Sequence, residues 1–129
     1  MITEQKPWLL VDNMNSNEFI LKMLRIGNPL EVSLVGVFET EGRGSKRDID
    51  LPLHRDGDYT TEHKGKIDVV GLYCIKPGTT KTVLEVFDEQ IEFTLQEGQA
   101  LIFDNKICRH GRFGPVCDRL LLRMWISRH

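Results

Sequence analysis

His54 and Asp56 stand two apart in the run Leu53-His54-Arg55-Asp56. On a β-strand, residues at that spacing point to the same side, so an imidazole and a carboxylate placed there can hold one ion between them. With 4 histidines and 19 acidic residues in 129, a His followed two residues later by a carboxylate arises by chance roughly 0.6 times per chain, so the pair alone is weak evidence. A solvated strand end accounts for it equally well. His110 changes the weighing. It sits in Asp104-Asn105-Lys106-Ile107-Cys108-Arg109-His110-Gly111-Arg112, after a strand and before a turn. Brought beside His54 and Asp56 by a barrel, it completes a face of two imidazoles and one carboxylate with the opposite side of the metal open, a donor set that suits non-heme Fe(II). Nickel or zinc in a cupin-like scaffold is the competing metal assignment, because ligand type alone does not choose the ion.

A second group of residues carries positive charge. In Asp118-Arg119-Leu120-Leu121-Leu122-Arg123-Met124-Trp125-Ile126, strand alternation puts Arg119, Leu121, Arg123 and Trp125 on one face and Leu120, Leu122, Met124 and Ile126 on the other. Charged groups are rarely buried without partners, so two arginines on an otherwise apolar strand point to bidentate binding of carboxylates inside a cavity. The other chemistry-bearing residues read more simply. His63 falls in a polar loop and is expected to be solvent-exposed, and His129 is the terminal residue. Asp58 replaces Asp56 as a ligand only if the strand ends early. Of Arg109 and Arg112, which flank His110, one is expected to face solvent and the other to help bind substrate. Tyr59, Thr60 and Thr61 either border the site or keep a loop soluble, and Trp8 and Trp125 read as core or rim. Cys108 points with His110 only if the strand there is regular.

The elements that must position these residues follow from periodicity. Asn15 or Ser16 can cap a helix through Phe19, Ile20, Met23, Leu24 and Ile26, stopped by Gly27-Asn28-Pro29. From Leu30 onward the pattern becomes short β-like runs: 30–38, 67–75, 82–87, 91–95, 100–103 and 120–126. Turn signals fall at Pro77-Gly78, Asp88-Glu89, Glu97-Gly98 and Gly114-Pro115. Many short strands at this spacing predict a mainly β fold, a barrel or double-sheet jelly roll, rather than βαβ units. The polar segments 42–50 and 57–66 read as loops at the mouth of such a barrel.

Composition bounds the rest. A chain of 129 residues, 40% hydrophobic, fits residues 1–129 as one domain. A formal net charge of −2 and a pI near 6.1 give no overall basic balance toward nucleic acid or anionic lipid. The N-terminus lacks a secretory pattern and no apolar stretch could span a bilayer, so a cytoplasmic protein is expected, with no membrane partner. Cys74, Cys108 and Cys117 are odd in number and lack CxxC spacing, which fits reduced thiols.

The block from Gly98 to Ser127, GQALIFDNKICRHGRFGPVCDRLLLRMWIS, resembles the distal region of the Fe(II)/2-oxoglutarate-dependent dioxygenases, most closely the branch of taurine dioxygenase, gamma-butyrobetaine hydroxylase and clavaminate synthase. LPLHRDGDY is similar to the proximal motif of that branch, and GLYCIKPGTTKTVLEV to the strand-turn-strand segment after it. The resemblance covers the C-terminal two-thirds of the chain. It implies a double-stranded β-helix, the cupin-like jelly roll, with one N-terminal helix added. It makes His54, Asp56 and His110 the iron ligands, and Fe(II), 2-oxoglutarate and O2 the cofactor and cosubstrates. Arg119 matches the arginine that pairs with the distal carboxylate of 2-oxoglutarate. Thr82 matches the threonine that shares that carboxylate, with Thr79 and Thr80 as alternatives. Arg123 matches an arginine that holds an acidic group of the prime substrate in several members. Because Asp56 is present, where related halogenases carry a small residue, hydroxylation or desaturation is implied rather than halogenation.

Members of that branch are much longer, with insertions after the proximal motif, whereas 53 residues separate Asp56 from His110 here. A minimal scaffold with an open mouth is therefore expected, one that a second subunit of a homo-oligomer would complete. The implied activity is oxidation of a small acidic or amino-acid-like molecule with release of succinate and CO2. The alternatives are the same chemistry on a protein side chain or a nucleobase, and a non-catalytic cupin-like module that binds metal or ligand.

Overall fold

The computed structural model describes residues 2–36, 50–58, 62–114 and 119–129. Its single helix, α1 (Ser16–Ile26), begins where a capping box closes. The Glu18 amide donates to Asn15 Oδ1 at 2.8 Å and the Asn15 amide donates to Glu18 Oε1 at 3.0 Å, satisfying two N–H groups the first turn leaves free. Phe19 and Met23, four apart, are fully buried by the helix, and each such side chain removed from water stabilises the fold by about 1.5–3 kcal/mol. The strand beneath makes room for them with Gly71, where a Cβ would stand 2.6 Å from the Met23 methyl.

Nine strands follow the chain order β1 (Trp8–Val11), β2 (Gly27–Val35), β3 (Leu51–His54), β4 (Val69–Lys76), β5 (Lys81–Val86), β6 (Glu89–Phe93), β7 (Ala100–Asp104), β8 (Arg109–Phe113) and β9 (Leu120–Arg128). They form two antiparallel sheets, one in the order β1-β7-β4-β9-β2 and the other β3-β8-β5-β6. From β3 onward the chain changes sheet at every step except the β5–β6 hairpin, which is the double-stranded β-helix expected from the sequence.

Alternation along each strand builds two apolar clusters. Val35, Val70, Leu72, Leu84, Leu101, Phe103, Leu121 and Trp125 meet between the sheets. Val69, Tyr73, Ala100, Ile102, Met124 and Ile126 face outward from the five-stranded sheet and are covered by Phe19 and Met23 of α1. The split of Leu121 and Trp125 from Met124 and Ile126 is the two-face pattern read from the sequence. Cys74 and Cys108 are buried free thiols, and burial, reinforced by the charge of Asp104, pushes Cys108 up to about 12. Cys117 and the segment 42–49 lie outside the described residues, as do Tyr59, Thr60 and Thr61.

Most boundaries shift by a residue or two from expectation, and four differences have a local reason. β2 starts at Gly27 directly after the helix, because Gly27 pairs with Arg128 of β9, so Pro29 sits in the strand beside an irregularity in its register. The β5–β6 turn is Phe87-Asp88, one residue earlier than Asp88-Glu89. Both have positive φ, 49° and 69°, the pair of values a two-residue type I′ hairpin requires. As a result β6 runs over Glu89–Phe93 rather than 91–95. His110 lies inside a strand, β8, rather than between a strand and a turn.

Candidate metal centre

β3 and β8 bring the two histidines together. His54 is the last residue of β3 and pairs directly with His110 of β8, with the ring centroids 4.4 Å apart. The strands approach closely because residue 111 is glycine: a Cβ there would lie 2.6 Å from the Leu51 carbonyl oxygen. Asp56 does not reach the site by strand alternation, as its spacing from His54 suggested. β3 has ended, and Asp56 stands in the following turn, where the Asp58 amide donates to the Arg55 carbonyl at 3.2 Å. The early end of the strand nevertheless leaves Asp56, not Asp58, at the histidines.

Asn105 explains why. From the turn after β7, its side chain accepts from the Asp56 amide at 3.1 Å and donates to the Asp56 carbonyl at 2.9 Å and the Ile67 carbonyl at 3.1 Å. This buried amide holds the Asp56 backbone from both sides, as a neighbouring strand would. The carboxylate then projects inward. Its Oδ1 lies 3.2 Å from His54 Nε2 and 3.4 Å from His110 Nε2, and its Oδ2 accepts from Trp125 Nε1 at 2.8 Å. One atom from each of His54, Asp56 and His110 falls within 4.8 Å of the others.

The groups around Asp56 favour its charged form. Burial by itself would lift Asp56, but the neighbouring His110 and His54 and the more distant Arg123 outweigh it and hold the carboxyl well below its usual range. Burial likewise works against the His54 imidazolium. Hydrogen bonds to Asp56 and to the Pro52 carbonyl, 2.7 Å from Nδ1, prevail and raise its pKa above 6.5. With Nδ1–H donating to Pro52, loss of the shared proton presents the Nε2 lone pair toward Asp56, the arrangement in which a backbone carbonyl fixes a ligand's tautomer. Two imidazole nitrogens and one carboxylate oxygen gathered on one face fit a divalent transition metal.

The arginines line the cleft beside this triad. Its free space is about 40 Å³, and about 400 Å³ when the part open to solvent is counted. Arg119 is 6% exposed and donates through Nη1 to Thr82 Oγ1 at 2.8 Å. Burial, together with the charge of Arg112, lowers Arg119 to about 10, still a cation at neutral pH. Thr82 lines the cleft, and Thr79 and Thr80 are not among its lining residues. Arg123 also lines it, donating to Glu31 Oε2 at 3.1 Å and stacking 4.6 Å over the Trp125 ring, with Nε left without a hydrogen-bond partner among the described residues. Of the two arginines flanking His110, Arg109 turns outward and pairs with Glu85, its Nη2 2.6 Å from Oε1, while Arg112 is buried and lines the cleft.

Some assignments need correction or addition. His63 is half-buried rather than solvent-exposed, its ring edge-on to Trp125 at 5.8 Å. Cys108 precedes β8 and packs between the sheets instead of lining the cleft. Trp125 read as core or rim, yet it donates to the triad carboxylate. Asn105 and Glu31 were not singled out at all. The only sequence signal for Asn105 was its place in the Asp-Asn pair of the resembling block, and Glu31 had none.

With the geometry in view, solved structures supply a comparison. The fold is shared with a Pseudomonas putida prolyl-4-hydroxylase, at a TM-score of 0.54 and 13% identity over 76% of this chain and 50% of that one. It is shared also with an oxidoreductase of the 2OG-Fe(II) oxygenase family from Burkholderia pseudomallei, at a TM-score of 0.55 and 11% identity over 95% of this chain. The chain spans half the length of the first and 66% of the second. At these identities the likeness is one of fold. No family model matches the sequence, and no curated protein matches it. Among the described residues no helix is long and apolar enough to cross a membrane.

Proposed function

We propose that the chain is an Fe(II)- and 2-oxoglutarate-dependent oxygenase that hydroxylates or desaturates a small acidic or amino-acid-like substrate, with release of succinate and CO2. The observation that carries the reading is the meeting of His54, Asp56 and His110 at one end of a cleft whose wall holds the buried Arg119–Thr82 pair. The ordered Gly98–Ser127 block favours the taurine dioxygenase-like branch within this class.

His54, Asp56 and His110 would hold the iron, which when bound supplies the redox chemistry by which O2 oxidises both 2-oxoglutarate and substrate. The protein's own residues position and protect. Arg119, charged and desolvated, offers a planar fork to the C5 carboxylate of the keto acid, and Thr82 adds a hydroxyl donor beside it. Seating that carboxylate requires the Arg119–Thr82 hydrogen bond to open or be shared, because Arg119 Nη1 and Thr82 Oγ1 already engage each other at 2.8 Å. Arg123 is already balanced by Glu31, so it would meet an anionic substrate by sharing its guanidinium rather than from a bare charge. Val35, Leu51, Leu72 and Leu121 form the apolar part of the wall and keep water from the reacting groups.

The test is turnover of the cosubstrate: the purified protein with Fe(II), ascorbate and 2-oxoglutarate should form succinate in an O2-dependent manner. This activity should disappear in Asp56→Ala and His110→Ala. Succinate formed equally by those variants would reject the assignment of the site.

A further inference from the structure

A second cavity, of about 380 Å³, lies on the opposite face of the five-stranded sheet, in the wedge between α1 and the edge strand β1. That is a typical volume for a small-molecule site and roughly tenfold the corresponding free space of the metal-centre cleft. Its floor is apolar. Leu9 of β1 and Ile102 of β7 are direct partners across the two strands, and Ile26 from the end of α1 and Ile2 add to them.

One wall of this cavity is cationic. Lys22 and Arg25, three apart on α1, share a helix face and line the space, and Arg128 at the end of β9 closes it. Arg128 is already committed to Asp104, 3.2 Å away. Lys22 and Arg25 make no ion pair among the described residues, and no carboxylate lines the cavity. Lys22 is half-buried, so its alkyl stem lies along the wall with the ammonium at its end. In a chain of net charge −2 this positive lining is local.

An apolar floor beneath two uncompensated cations selects for a ligand with the same division. We propose that this cavity is a binding site for a small amphiphilic anion, a carboxylate carried on a short hydrocarbon body. The hydrocarbon rests on Leu9, Ile26 and Ile102, and the carboxylate meets Lys22 and Arg25. Burial of the apolar body supplies the affinity, and the two cations supply the preference for an anion. The site shares no residue with the metal centre and does not depend on the function proposed for it.

Calorimetric titration of the intact chain with octanoate, octylamine and octanol tests this, with Fe(II)-free protein throughout. Octanoate should bind saturably at one per chain, with octylamine and octanol at least about tenfold weaker. The double variant Lys22→Gln/Arg25→Gln, which removes both charges and leaves the buried Phe19 and Met23 untouched, should weaken octanoate by about tenfold or more. Leu9→Trp, which fills the floor, should remove binding. Arg119→Ala should leave it unchanged. The proposal is overturned by absence of saturable octanoate binding, by octylamine binding as well as octanoate, by an affinity unmoved in the double variant, or by loss of binding in Arg119→Ala, which would put the ligand in the cleft.

Discussion

Trp125→Phe isolates a single hydrogen bond at the metal centre. In the native chain the indole N–H donates to Asp56 Oδ2 at 2.8 Å, leaving Oδ1 directed at the two imidazoles. Phenylalanine keeps an aromatic ring between the sheets and under Arg123 but removes the donor. A hydrogen bond to a charged, buried acceptor contributes about 1.5–3 kcal/mol, and that part of it which orients the carboxylate is lost from metal binding. Outer partners of this kind change metal affinity by about 10–100-fold, equivalent to about 1.4–2.8 kcal/mol, so the two routes to the magnitude agree. The assay is anaerobic titration with Fe(II), or with Co(II) as a spectroscopic surrogate, beside a thermal melt of the metal-free protein. The expected result is metal affinity at least about tenfold weaker in a folded variant. An affinity within about twofold of the parent, with the fold intact, would refute the reasoning that the indole positions the carboxylate.

Other perturbations follow from the same geometry. Arg119→Ala should leave metal binding in place and weaken 2-oxoglutarate by about 30-fold or more, while Thr82→Ala, which removes a neutral donor, should weaken it by about fivefold, both read by titration of the metal-loaded protein. Asn105→Ala strands the Asp56 amide and the Asp56 and Ile67 carbonyls in a buried turn and should destabilise the chain by about 3 kcal/mol, measured by urea unfolding. His54 has its folded pKa raised above 6.5, so its contribution to the stability of the metal-free protein is present below 6.5 and lost as pH rises through the folded value. Asp56 is lowered, so its contribution is present above about 4 and lost as pH falls. A thermal melt series from pH 3 to 9 should therefore show a maximum between these limits. Metal must displace the His54 proton, so apparent affinity should fall as pH drops below that raised pKa, and pH-independent binding from 5 to 8 would contradict it.

The residues that could bear chemistry were legible because their types are rare on strands. Arg119, Arg123 and Trp125 alternate with Leu122, Met124 and Ile126, and the two faces separate in the structure as that period requires. The helix was legible from its cap and its three-and-four spacing. What was not legible depends on contacts between residues far apart in sequence. β3 and β8 are a four-residue run with a proline and the run Arg-His-Gly-Arg-Phe, neither of which alternates apolar and polar; they are strands because they pair with each other and β8 pairs with β5. Asp56 stands beside His54 and His110, yet not by the spacing that suggested it, since β3 stops at His54 and Asn105, 49 residues further on, sets the turn. The half-burial of His63 follows from contact with Trp125, 62 residues away, and nothing in its polar surroundings signals it.

In the proposed function, His54, Asp56 and His110 hold Fe(II) and Arg119 anchors 2-oxoglutarate. The most direct test is to add Fe(II) to the anaerobic protein with and without 2-oxoglutarate and record the visible spectrum. A weak metal-to-ligand charge-transfer band should appear that needs both additions, disappears in Asp56→Ala, and requires much more cosubstrate in Arg119→Ala. Folded, iron-loaded protein that shows no such band at saturating 2-oxoglutarate would contradict it and leave a metal-binding cupin-like module as the better description.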